Sequence, residues 1–105
     1  RAEVDGFSAS PPVLVEVWAH IGVPKSAQKH KVLADALKLV WIDRRYLASR
    51  SRKVILFADA AAAAHFQGRS WMAAALRDLG IELLVEELPQ ETRQRVLAAQ
   101  QRQYR

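Results

Sequence analysis

Apolar and polar positions alternate in two short stretches near the start of the chain, Ala2-Glu3-Val4-Asp5-Gly6-Phe7 and Val13-Leu14-Val15-Glu16-Val17-Trp18-Ala19. Period-two patterning of this kind marks half-buried strands, and the Ser8–Pro12 segment between them reads as a hairpin turn. Gly22-Val23-Pro24 then breaks the pattern. A helix is expected from about Lys25 to Trp41, with Pro24 suited to its first turn and Val32, Leu33, Ala36, Leu37, Val40 and Trp41 as its buried stripe. Asp43 to Lys53 is a polar, basic connection. Lys53 to Ala58 is a continuous apolar run, typical of a strand covered on both faces. Asp59 is placed to cap an alanine-rich turn reaching about Phe66, which Gly68 ends. Ser70 caps a further helix, Trp71 to Leu79, stopped by Gly80. Ile81 to Glu86 reads as a strand, and Pro89 opens a last helix with little apolar surface beyond Val96 and Leu97.

The order β-β-α-β-α-β-α predicts an α/β fold: a mixed sheet, its antiparallel hairpin joined to parallel β-α-β units, with flanking helices. The 105 residues, half of them hydrophobic, suit one small domain with a core. The chain begins with Arg1 rather than Met and is read as a fragment lacking its N-terminal element. Without cysteine, disulfide frameworks and thiolate metal sites are excluded. No apolar run approaches the ~20 residues of a membrane span and no signal peptide is present, so cytoplasmic residence is the expectation. Gly-rich phosphate loops are missing as well. Sixteen Lys and Arg against eleven Asp and Glu give a net charge of +5, which fits a nucleic-acid partner better than a membrane.

Candidate chemistry enters with the acidic residues of the hairpin. If the hairpin is symmetric about Ser10 and Pro11, Asp5 lies opposite Glu16, with Cβ atoms roughly 4.5–5.5 Å apart. Facing like charges are destabilising unless compensated, and a divalent cation such as Mg²⁺ prefers carboxylate oxygens. The blander account is a solvent-facing polar strip. Against it, Glu16 shares its strand face with Leu14 and Trp18.

A hairpin carrying Val4-Asp5-Gly6-Phe7 and then Leu14-Val15-Glu16-Val17, followed by a helix and a strand, resembles the core of the PD-(D/E)XK nuclease superfamily, the restriction-endonuclease-like fold. Asp5 and Glu16 match that family's two acidic residues. The resemblance implies a Mg²⁺- or Mn²⁺-dependent nuclease acting on DNA. The family's lysine, two residues after the glutamate, is replaced by Trp18. Some members of the superfamily supply a lysine from the following helix, where Gln28, Lys31, Asp35 and Lys38 share one side. Lys31, with Gln28, is the preferred replacement, and Glu3 is a further candidate acid. The alternative is the same fold without its chemistry, kept for nucleic-acid or protein contact. A homodimer built on an exposed Leu14–Trp18 side is a third reading.

Arg44, Arg45, Arg50, Arg52 and Lys53 cluster in one expected loop, suited to phosphate contacts that read no sequence, with Tyr46 placed to stack on a base. A merely solvated basic loop is the equal alternative. His20, His30 and His65 lack metal-ligand spacing, and Trp41 and Trp71 are expected in the core.

Overall fold

The computed structural model describes residues 4–103 and shows four strands and four helices. They run β1 (Gly6–Ala9), β2 (Pro12–Trp18), α1 (Ser26–Tyr46), β3 (Arg52–Phe57), α2 (Ala60–Gln67), α3 (Trp71–Asp78), β4 (Ile81–Val85) and α4 (Gln90–Gln103). The sheet order is β1-β2-β3-β4. The hairpin β1-β2 is antiparallel, while β2-β3 and β3-β4 are parallel. This is the mixed α/β sheet read from the sequence. The hairpin register, Gly6 opposite Val15 and Phe7 opposite Leu14, is the one symmetric about Ser10 and Pro11.

Both parallel crossovers step across the sheet in the same direction. Right-handed connections then place their helices on one face. That face carries Leu14, Glu16 and Trp18 from β2 beside Ile55 and Phe57 from β3. Its apolar members join Val32, Ala36, Leu39 and Val40 of α1 and Ala62, Ala63, Phe66 and Leu76 of α2 and α3 in a single core. The other face shows Val54 buried, Val13, Val15 and Leu56 half-buried, and Val17 and Leu84 exposed. α1, α2 and α3 thus cover one side of the sheet.

Several expectations are corrected. α1 continues to Tyr46, so Arg44 and Arg45 lie in its last turn, and Arg52 and Lys53 belong to β3. Its buried stripe is Val32, Ala36, Leu39, Val40 and Asp43. Leu37 is 66% exposed, Trp41 49% and Trp71 69%, so none of these is a core residue. Leu14 and Trp18 are the reverse, buried beneath α1 and unavailable as a dimer surface. The amphipathic period locates a helix but leaves its rotation undecided when apolar residues occupy both flanks of the stripe. Among the described residues, no helix is long and apolar enough to cross a membrane.

Two buried aspartates tie the connections to the sheet. Asp43 Oδ1 accepts hydrogen bonds from the Ser51 amide (2.8 Å) and hydroxyl (2.6 Å), and its Oδ2 meets Lys53 Nζ at 3.1 Å. These contacts close the turn from α1 into β3. At the other end of β3, Asp59 caps α2 through Ala62 N–H and accepts from Gly22 N–H at 2.8 Å. Gly22 has φ +93°, a conformation that favours glycine. Asp59 Oδ1 also binds Arg93 Nη1 at 2.6 Å, and Gln100 makes both backbone hydrogen bonds of Ile21. These polar ties hold α4, which has no buried residue among those described.

Burial alone would raise both carboxyls. For Asp43 the Ser51 and Lys53 contacts overcome it, and for Asp59 the Gly22 amide, Arg93 and the Ala62 amide do so; both are held low. A lowered carboxyl stabilises the fold above the ordinary aspartate value of 3.8 and loses that contribution as pH falls through the lower folded value. Urea unfolding should therefore show Asp43→Ala less stable by about 3 kcal/mol at neutral pH, since it strands a mostly buried Lys53. The deficit should shrink on acidification below that range. Arg52→Ala, which breaks an exposed pair with Glu82, should change the midpoint little.

Candidate functional site

Glu16 sits in the middle of β2, and the strand's alternation points its side chain into the covered face between Leu14 and Trp18. The carboxylate is buried, with 4% of the residue exposed. A charge placed there needs a counter-charge. It comes from α1: Lys38 Nζ lies 2.6 Å from Glu16 Oε1. The two make a close ion pair, and the ammonium is the counter-charge of the buried carboxylate. Asp35, one turn earlier on α1, has Oδ1 4.0 Å from the same ammonium.

Asp5 completes the group from the exposed side. It lies just before β1, where the ladder ends, and its Oδ2 accepts the Val17 backbone N–H at 2.8 Å. That hydrogen bond and one from the Glu16 carboxyl hold Asp5 below the usual carboxylate range, with Lys38 and Lys31 adding to the effect. Burial pushes Glu16 up, and Asp5 adds to the rise against the opposing pull of Lys38. Burial likewise raises Asp35. Contact with Glu16 raises Lys38, keeping it charged. Asp5 and Glu16 therefore titrate as a coupled pair in which Asp5 ionises first.

Sequence reasoning brought Asp5 and Glu16 together but selected Lys31 as their lysine. The lysine in contact is Lys38, two turns further along the same side of α1. Lys31 is exposed and forms no ion pair with a described residue, although its charge is felt at Asp5, Asp35 and His20. Gln28 accepts the Lys25 N–H at 2.9 Å at the start of α1 and reaches His20 Nδ1 at 3.4 Å. Trp18, at the position of the motif lysine, is buried and stacks on His20 with ring centroids 4.6 Å apart. Glu3 lies outside the described residues. Choosing Lys38 required the crossing of α1 over β2, which spacing does not encode.

The basic cluster divides. Arg52 is committed to Glu82 through two hydrogen bonds and Lys53 to Asp43. Arg44, Arg45 and Arg50 are exposed and form no ion pair with a described residue. Among the described residues, no group of three or more His, Asp and Glu side chains is arranged to hold a metal. Mg²⁺, however, is commonly held by one or two carboxylates together with substrate phosphate. Comparison of the chain with protein-family models, curated proteins and solved structures gave no match.

Carboxyl-detected NMR titration should place Asp5 below and Glu16 above their ordinary ranges. In Lys38→Ala the Glu16 midpoint should move further up, because the burial penalty stays while the counter-charge is gone. An unmoved Glu16 would show that the ion pair does not persist in solution.

Proposed function

We propose that the chain is a nuclease domain of the restriction-endonuclease-like, PD-(D/E)XK type that hydrolyses DNA phosphodiester bonds with Mg²⁺ or Mn²⁺. The observation that carries this reading is the approach of Lys38 to Glu16, beside Asp5, on a β-hairpin followed by a helix and a parallel strand. The resemblance lacks a lysine on the strand, and α1 supplies one at the same carboxylate.

The donor set suits the metal. The Asp5 side chain is exposed beside Glu16, so a hard cation could be held by the two carboxyls from the open side. When bound, such an ion supplies Lewis acidity toward a phosphate oxygen and makes bound water more acidic. Asp5 and Glu16 would hold it. Lys38, with 30% of its side chain exposed, would stabilise charge developing on the phosphate. Arg44, Arg45 and Arg50 are available for the DNA backbone, whereas Arg52 and Lys53 are occupied within the fold.

A cleavage assay with Mg²⁺ or Mn²⁺ tests this directly. Asp5→Asn and Glu16→Gln should abolish cutting, and Lys38→Ala should reduce kcat by roughly a hundredfold or more. Lys31→Ala should cost much less. Equal cutting by the parent chain and both carboxylate variants would end the proposal. The second reading, a nuclease fold kept only for binding, is favoured by the Lys38–Glu16 pair being satisfied within the protein. It predicts DNA affinity that falls steeply with salt and no cleavage with any metal.

A further inference from the structure

One turn beyond Lys38 on α1, the same side of the molecule changes from ionic to aromatic. Trp41 is half exposed, and Tyr46 and Phe7 more so, at 65% and 56%. With Leu14, Ile42 and Leu47 these side chains line a groove of about 580 Å³ between the C-terminal half of α1 and the edge strand β1. Trp41 and Tyr46 meet edge to face, with centroids 5.8 Å apart, and Arg45 lies 5.7 Å from the Tyr46 ring centre. A second depression continues past Trp41 and is lined by Leu37, Val40, Arg44 and Arg45. Exposed aromatic rings edged by arginines without ion pairs to described residues complement a ligand with apolar faces and a polyanionic backbone.

The groove and the ionic site share one face of the hairpin. Phe7 pairs with Leu14, and Glu16 follows Leu14 on the same face of β2, with Asp5 just beyond the end of the ladder bonded to the Val17 N–H. Two residues along a strand cover roughly 7 Å, and one helical turn about 5.4 Å. A single unstacked nucleotide can bridge that separation. Bases within a duplex are already stacked on each other and cannot offer their faces to Trp41 or Tyr46.

We infer that the groove of Phe7, Trp41 and Tyr46 receives an unpaired base of single-stranded DNA, setting the adjoining phosphate at the Asp5–Glu16–Lys38 site. The inference rests on the nuclease reading for the chemistry at that phosphate, but base binding can be measured without cleavage. Sequence-tolerant stacking on aromatic side chains flanked by cationic residues is a general mode of single-strand recognition.

The test is binding of a fluorescently labelled oligothymidylate in EDTA, against a duplex and an abasic oligomer of equal length. The oligothymidylate should bind tightest. Trp41→Ala and Tyr46→Ala should each weaken it roughly five- to hundredfold, while leaving abasic binding unchanged. Trp41→Phe should retain most of the affinity. Equal affinity for all three oligomers, or no effect of Trp41→Ala, overturns the inference even if cleavage is found. Self-association that Trp41→Ala dissolves overturns it too, because a second copy would then cover the groove. Ring-dependent binding without metal-dependent cleavage supports the groove and removes the nuclease reading alone.

Discussion

Glu16 is set on the core side of a central strand, where a carboxylate without a counter-charge would be costly, and Lys38 answers it across the layer. That contact joins α1 to β2 at one defined rotation. With Lys38 directed at Glu16, the turns before and after it present Val32, Ala36, Leu39 and Val40 to the sheet. The apolar residues on the adjoining flank, Leu37 and Trp41, are left outside. Hydrophobic burial supplies most of the driving force for closing this layer, but it is indifferent among several rotations of a helix so rich in apolar side chains. The ion pair is directional and distinguishes between them.

The same logic recurs at the two ends of β3. Asp43 and Asp59 are buried carboxylates: the first gathers Ser51 and Lys53 from the start of β3, and the second joins the nearby Ala62 amide to Gly22 and Arg93 from distant segments. Together they fix where the strand begins and ends relative to α1, α2 and α4. Three buried acids thus hold a small fold in which α1, α2 and α3 cover one side of the sheet. A domain of this size has a limited core, and satisfied buried polar groups add definition that apolar packing alone gives less sharply.

The polar and aromatic faces of the hairpin–α1 cleft lie in adjacent rows because strand and helix periods coincide there over a short distance. Phe7 of β1 and Glu16 of β2 lie on one face of the hairpin, while a three-residue step along α1 separates Lys38 from Trp41. Charged and ring surfaces therefore neighbour each other, and Arg44 and Arg45 line a second depression beside Trp41. The sequence pattern had assigned Trp41 to the core; its exposure is what gives the cleft its aromatic wall.

Much of the fold was legible from the chain alone. Period-two alternation, the Ser10-Pro11 turn and the apolar run of β3 determined the hairpin register, the element order and the mixed sheet. Asp59 and Ser70 could be recognised as helix caps because capping is local chemistry. The same alternation put Asp5 opposite Glu16 and Glu16 among apolar neighbours. Tertiary structure decided the rest. It set the rotation of α1, and with it the choice of Lys38 over Lys31 and the exposure of Trp41. It also extended α1 through Tyr46, gave Arg52 and Lys53 their partners, and drew Asp43 into the interior. The reason is physical: alternation and capping depend on residues a few positions apart, whereas a helix's rotation over a sheet depends on side chains that meet only after the crossover has closed.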